Sequence, residues 1–293
     1  MNILITGATG FIGRNLLKEL KKHHSIHILT RTQTDKNSLY ELPVFEFADN
    51  IDDLSIYLKN NEIEGVIHLA SLYLAQHQSN QIKDLILSNI YLGVAVLEAS
   101  KQADIKWFLN TGTIWQNYIT DSNEYNPVNL YAATKQAFID TARFYTETSK
   151  LRFCTLKLCD TYGTGDTRRK IFTLFKQIAG TNEKLSMSPG EQKLDILHID
   201  DAVKGFKHLV DLLQTGNDIK KEYMLTSEKQ YSLKELAHIY EHISGKHLNI
   251  EWGGRPYRER EVMMPCLKLE KLPEWKAEIS LEEGLAQYCS CNR

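Results

Sequence analysis

The chain has 293 residues, 42% hydrophobic and 25% charged, an ordinary globular balance with ample length for a packed core. Its 35 lysines and arginines against 37 aspartates and glutamates give a net charge of −2, so no basic excess draws in nucleic acid or an anionic membrane. With 16 glycines and 6 prolines it is neither collagen-like nor of low complexity, and no apolar run reaches the ~18 residues of a membrane span.

Met1-Asn2 runs directly into Ile3-Leu4-Ile5. A secretory signal needs a basic stretch and a longer apolar core, so a cytoplasmic protein is expected. Short, nearly continuous apolar runs predict strands at 2–6, 25–30, 44–47, 65–70, 106–111 and 153–158, the pattern of a sheet covered by helices on both faces. Helical patterns lie between them at 12–21, 53–60, 82–102 and 130–149. This alternation predicts parallel, right-handed βαβ units, hence an α/β protein with a Rossmann-type doubly wound parallel sheet. The second half is less regular. A strand is expected at 194–198 and a helix at 202–213 capped by Asp200 or Asp201. Ser232 with Glu235, and Ser280 with Glu283, form capping boxes that open two more helices. We expect a dinucleotide-binding domain over 1–162 and a smaller mixed α/β substrate-binding lobe over 163–293, with segments near 194–225 returning to the first. The short basic cluster Arg168-Arg169-Lys170 reads as a solvated loop. The five cysteines, Cys154, Cys159, Cys266, Cys289 and Cys291, are odd in number and form no Cys-x-x-Cys pair, which predicts reduced thiols and no metal site.

The first strand ends in Thr6-Gly7-Ala8-Thr9-Gly10-Phe11-Ile12-Gly13. Glycines at steps of three suit a Rossmann turn: Gly7 for the tight turn, Gly10 for close approach to a pyrophosphate, Gly13 for helix–strand packing. The following helix offers its N-terminal N–H groups to phosphate, so this segment is expected to bind a dinucleotide. An acid at the end of the second strand would select the ribose 2′-hydroxyl of NAD. Arg31 stands there instead, and a guanidinium suits a 2′-phosphate, which favours NADPH/NADP, with NAD open if Asp35 folds back. Asp49, just past the third strand, is an adenine contact or a turn residue.

Tyr131 and Lys135 lie four apart, on one face of a helix. A lysine and an oxidised nicotinamide would lower the phenol from its ordinary value near ~10. So tuned, the tyrosine exchanges a proton with a carbonyl or carbinol oxygen. Thr113, at the carboxyl edge of the sheet where ligands bind in open α/β folds, either hydrogen-bonds the same oxygen or satisfies a turn.

In this order, Gly7/Gly10/Gly13, Thr113, Tyr131 and Lys135 resemble the extended short-chain dehydrogenase/reductase family, the NAD-dependent epimerase/dehydratase type, over essentially the whole chain. The resemblance implies Thr113, Tyr131 and Lys135 as catalytic residues. It implies a cofactor site of Gly7, Thr9, Gly10, Phe11, Ile12, Gly13, Arg31, Asp49, Leu69, Ala70, Ser71, Asn89, Tyr131 and Lys135. The segment 162–165 then leads into a lobe that binds a nucleotide sugar through Thr113, Trp115, Lys193 and Arg258. Within the family, 108–111, 131–136 and 190–192 resemble the reductases of nucleotide-linked 4-keto-6-deoxy sugars, the CDP-abequose and CDP-paratose synthase type. Three departures bear on this. Leu194, not arginine, precedes Asp195. Ile114-Trp115 stand where a 4,6-dehydratase would carry Asp-Glu. No cysteine lies beside Thr113, and Cys159 reads as structural. The expectation is an NADPH-dependent ketoreductase. A 4-epimerase retaining NAD and a non-catalytic nucleotide sensor are the alternatives. Family members pair through two long helices, so a homodimer is implied, through 82–102 and 130–149; Leu85, Asn89, Leu92 and Val96 share one face, which core burial explains as well as a dimer does.

Overall fold

The apolar runs of the first half become the central sheet. The computed structural model describes residues 1–31, 42–216 and 219–290; Asp35 and Cys291 lie outside them. Its strands are β1 (Asn2–Thr6), β2 (Ser25–Arg31), β3 (Val44–Phe47), β4 (Ile63–His68), β5 (Trp107–Thr113), β6 (Arg152–Leu158), β7 (Asp160–Tyr162), β8 (Leu185–Met187), β9 (Lys193–His198), β10 (Glu222–Leu225), β11 (Gln230–Ser232) and β12 (Ile250–Trp252). The helices are α1 (Phe11–Leu20), α2 (Ile51–Asn60), α3 (Ile82–Ile86), α4 (Leu92–Gln102), α5 (Leu130–Thr148), α6 (Ile171–Ile178), α7 (Ile199–Thr215), α8 (Leu233–Ser244) and α9 (Leu281–Ser290).

Among the described residues, seven strands pair in parallel in the order β10-β6-β5-β4-β1-β2-β3. Side chains alternate between its faces. Ile3 and Ile5 join α1 and α7 in one core, whereas Leu4, Val66 and Phe108 join α2, α4 and α5 in another. The strand order reverses between β1 and β4, which opens the crevice at their carboxyl ends. A third core gathers Phe172 and Phe175 of α6, Leu236 and Tyr240 of α8, and Leu285 and Tyr288 of α9. These flank small sheets in which β9 pairs with β7 and β11, and β8 with β12.

Several expectations are corrected. The fourth strand runs over 63–68 rather than 65–70, so Leu69 and Ala70 begin the loop that borders the crevice. The stretch 82–102 is not one α-helix; a π-helical turn, Leu87–Tyr91, separates α3 from α4. The strand near 194–198 belongs to a small sheet, and the chain returns to the large one afterwards, through α7 and β10. Neither Asp200 nor Asp201 caps α7. His198 is the cap, its Nδ1 accepting the Asp200 N–H, and the aspartates sit inside the first turn. Both capping boxes are present. Of the two readings of the face that carries Leu85, Asn89, Leu92 and Val96, core burial is the one observed: all four are buried within the single chain. No helix among the described residues is long and apolar enough to cross a membrane.

Candidate active site

The glycine turn is held by sterics. Gly7 has φ +72°, and a Cβ there would meet Ala70 N at 2.5 Å; one on Gly13 would meet Gly7 O at 2.3 Å. Only glycine allows these two approaches, which tie β1, α1 and the β4 loop together. At Gly10 the nearest atom to a Cβ is Gly7 O at 3.2 Å, so its outer side is open. Gly10 is the N-cap of α1, no side chain caps the helix, and its first turn holds no acid. The N-terminal N–H groups therefore face the cavity with their partial positive charge unopposed.

The β4 loop is fixed from below. Thr6 Oγ1 accepts the Ala70 N–H at 3.1 Å and lies 2.9 Å from His68 Nδ1. Burial, aided by the Lys135 charge, pushes the His68 imidazolium down to about 3, so this ring is neutral. Asn89, in the π-helical turn, accepts from Ser71 Oγ (3.1 Å) and Leu72 N (2.7 Å) and donates to Leu72 O (3.0 Å) and Thr134 Oγ1 (3.0 Å). All four positions of its amide are taken. The expected cofactor contact at Asn89 is thereby corrected: it clamps the Ser71–Leu72 segment to α5.

Thr113 ends β5 and caps a short 3₁₀ turn, its Oγ1 accepting from Trp115 N at 3.3 Å. Its own O–H is left to donate. Asn129 caps α5 through Ala132 N, so the helix begins at Leu130, one residue before Tyr131. Tyr131 and Lys135 line the same cavity of about 200 Å³ as Gly7, Gly10, Phe11, Ile12, Gly13, Leu69, Ser71, Thr113 and Trp115. Burial pushes the Tyr131 phenol up to about 12; the charge of Lys170 and a hydrogen bond with Ser71 oppose it without overcoming it. Burial pushes Lys135 down to about 8. Its side chain is 1% exposed, and it makes no hydrogen bond among the described residues.

A second cavity of about 440 Å³ adjoins the first and shares Tyr73, Trp115, Asp160, Thr161 and Lys170 with it. Lys193 and Arg258 line it, and so do Arg169, Arg255 and Arg260, which sequence reasoning missed although Arg255-Pro-Tyr-Arg-Glu-Arg260 is a visible basic run. The cluster 168–170 is not a solvated loop. Arg168 stacks on Phe11 at 4.4 Å and pairs with Asp166, and Lys170 pairs with Asp160 at 2.6 Å. Asp160, Tyr73 and Arg168 were also unforeseen. Cys159 lines the first cavity, where burial, with Asp195 and Asp160 nearby, pushes its thiol well up, so it is no thiolate.

The residues present fit a dinucleotide. The cradle is one that side chains at 7 and 13 would fill, α1 presents N–H groups that no side chain caps, and Lys135 is a buried ammonium with no side-chain hydrogen bond among the described residues. Other expected contacts lie apart. Thr9 and Ala70 do not line either cavity, and the Ala70 N–H is spent on Thr6. Arg31 is exposed at the carboxyl end of β2, beside Phe47 of β3. Asp49 is exposed with φ 58°, a turn conformation, ahead of Asn50, which caps α2.

Residues 3–223 match the NAD dependent epimerase/dehydratase family. A CDP-abequose synthase of Salmonella muenchen is 27% identical, over 98% of this chain and 97% of that protein. A putative UDP-glucose 4-epimerase of Methanocaldococcus jannaschii is 25% identical, over 97% and 95% respectively. The crystal structure of a UDP-glucuronic acid 4-epimerase from Bacillus cereus, in complex with UDP-glucuronic acid and NAD, superposes with a TM-score of 0.84 at 21% identity, covering 99% of this chain and 98% of that one.

Proposed function

The chain belongs to the NAD-dependent epimerase/dehydratase family, and from that premise we propose that it is an NADPH-dependent reductase of a nucleoside-diphosphate 4-keto-6-deoxy or 3,6-dideoxy hexose, serving bacterial surface-polysaccharide sugar biosynthesis. One observation carries this reading. Tyr131, Lys135 and Thr113 face the cavity of the glycine turn, and burial keeps the Tyr131 phenol protonated, the state from which a proton donor starts. The full-length similarity to a CDP-abequose synthase supports the substrate class.

A nicotinamide cofactor bound in the cradle supplies the hydride. The chain's own residues do the rest. Gly7, Gly10 and the first turn of α1 hold diphosphate, Lys135 holds the ribose next to the nicotinamide, and Arg31 meets a 2′-phosphate. The hexose reaches Tyr131 from the larger cavity, where Lys193, Arg258 and their neighbours neutralise its diphosphate. Thr113 donates to the C4 carbonyl oxygen, and Tyr131 gives that oxygen its proton as C4 gains hydride. The Lys135 ammonium, on the same helix face, favours the phenolate that remains. Tyr131→Phe is expected to lower turnover by roughly 10²–10⁴-fold, with a far smaller change in NADPH affinity. Retained turnover would remove Tyr131 from the reaction.

A second reading, a 4-epimerase that keeps NAD through two opposite half-reactions, is favoured by the similarity to the putative UDP-glucose 4-epimerase. We also propose a homodimer. Ile82, Ile86, Leu87, Tyr91 and Phe144 are exposed apolar side chains on the α3–α4 and α5 segments, the helices through which pairing is expected.

A further inference from the structure

The mechanism above makes no use of Lys170, yet the fold builds it into the wall of the site. It is the N-cap residue of α6, a place where an ammonium meets the positive end of a helix, and its side chain is only 20% exposed. Lysine is seldom buried without a partner. Here Nζ donates to Asp160 at 2.6 Å, sits 4.1 Å from the centroid of the Tyr73 ring and lies 5.6 Å from that of Trp115. Tyr73 in turn packs edge-on against Tyr131, with centroids 5.1 Å apart. Lys170 thus stands where the two cavities meet, one ring away from the group that must lose a proton.

We propose that Lys170, clamped by Asp160 between Tyr73 and Trp115, is a positioning residue that stabilises the Tyr131 oxygen as negative charge develops on it. The proposal rests on Tyr131 being the proton donor. Several groups act on that oxygen: Ser71 and Tyr73 from the β4 loop, Asp160 from β7 and Lys170 from the N-cap of α6. Lys135, on the helix of Tyr131, lines the same cavity. Arg168 lines the same cavity but is committed to Asp166 and Thr161. Burial is the largest influence on Tyr131, and Lys170 is the largest one opposing it, while Tyr73 and Asp160 act with burial. The two lysines also differ in how long they stay charged. Burial brings Lys135 down to about 8. Burial is the largest influence on Lys170 and works against it as well, but Asp160 and Tyr73 together outweigh it and hold this ammonium above its ordinary range. Above neutral pH, Lys170 is the cation that persists.

The test incorporates a fluorinated tyrosine at position 131 of the full chain, its phenol made acidic enough to titrate below denaturing pH. Its ¹⁹F resonance is followed against pH without cofactor or substrate. Lys170→Gln is expected to raise the midpoint by about one pH unit, a roughly tenfold weaker acid, and Lys170→Arg to restore it. Asp160→Asn/Lys170→Gln leaves no unpaired buried carboxylate, so it is the variant to read if the single one does not fold. Its midpoint is expected above wild type by a smaller margin. Midpoints unmoved in both Gln variants, or moved only by Lys135→Met, would overturn the proposal. If instead Tyr131→Phe retains turnover, the functional reading fails while this titration still decides what Lys170 does.

Discussion

Tyr131 and Lys135 share one helix face, and burial acts on them in opposite senses: it holds the phenol protonated and loosens the proton on the ammonium. For the lysine this is a stability statement. Its folded value, about 8, lies below the ordinary 10.5, a difference on the order of 3 kcal/mol. Folding must keep a buried charge at pH 7, so the cost is fully felt below the folded value. It fades as pH rises from there to the unfolded value, where both states lose the proton. Lys135→Met is therefore expected to raise the melting temperature of the cofactor-free protein by several degrees at neutral pH, with the gain vanishing near pH 10.5, while turnover is lost. A variant no more stable than wild type at pH 7 would show that the ammonium is solvated. At this scale the sequence was most informative where chemistry is local. The glycine triplet and the Tyr-x-x-x-Lys pair are read from spacing alone. The charge on Lys170 was misread because its partner, Asp160, and its ring, Tyr73, meet it only through the fold.

Among the elements, the π-helical turn Leu87–Tyr91 matters most for the site. It interrupts what spacing predicts to be a continuous helix, and such turns often sit beside functional positions. Here it carries Asn89, fully buried, whose amide binds the β4 loop to α5. Asn89→Ala would strand the Leu72 N–H and carbonyl without these partners. A loss of about 2–4 kcal/mol is expected, measurable by denaturant unfolding, together with weaker NADPH binding because Ser71 is no longer held. A neutral effect on both would mean that the loop is positioned otherwise. Periodicity could not reveal this turn, since one extra residue per turn leaves the apolar pattern almost intact. Nor could it find β7, β8, β11 and β12, three residues each, too short to display a period of two. The long buried strands were legible because both their faces are covered.

At the scale of the whole molecule, the proposed function rests on the meeting of two cavities. The smaller belongs to the crevice between β1 and β4, where the strand order reverses. The larger is assembled from segments around 160–172, 187–196 and 255–266, and its walls include most of the arginines not predicted from sequence. The order of strands and helices made the sheet readable. No local pattern announces that residues of 255–260 and 160–170 line one cavity, and in the proposed reading this lobe sets substrate choice. In the proposed reading, Tyr131 serves the net reduction of a ketone. The most direct measurement mixes the purified protein with NADPH and a CDP-linked 4-keto-6-deoxyhexose, and follows reduced nicotinamide together with the configuration at C4. A reductase consumes one NADPH per ketone converted to an alcohol, with NADP leaving freely, and this is the expected result. Protein that purifies with retained NAD, consumes no NADPH and interconverts the C4 epimers of a nucleotide hexose would contradict it.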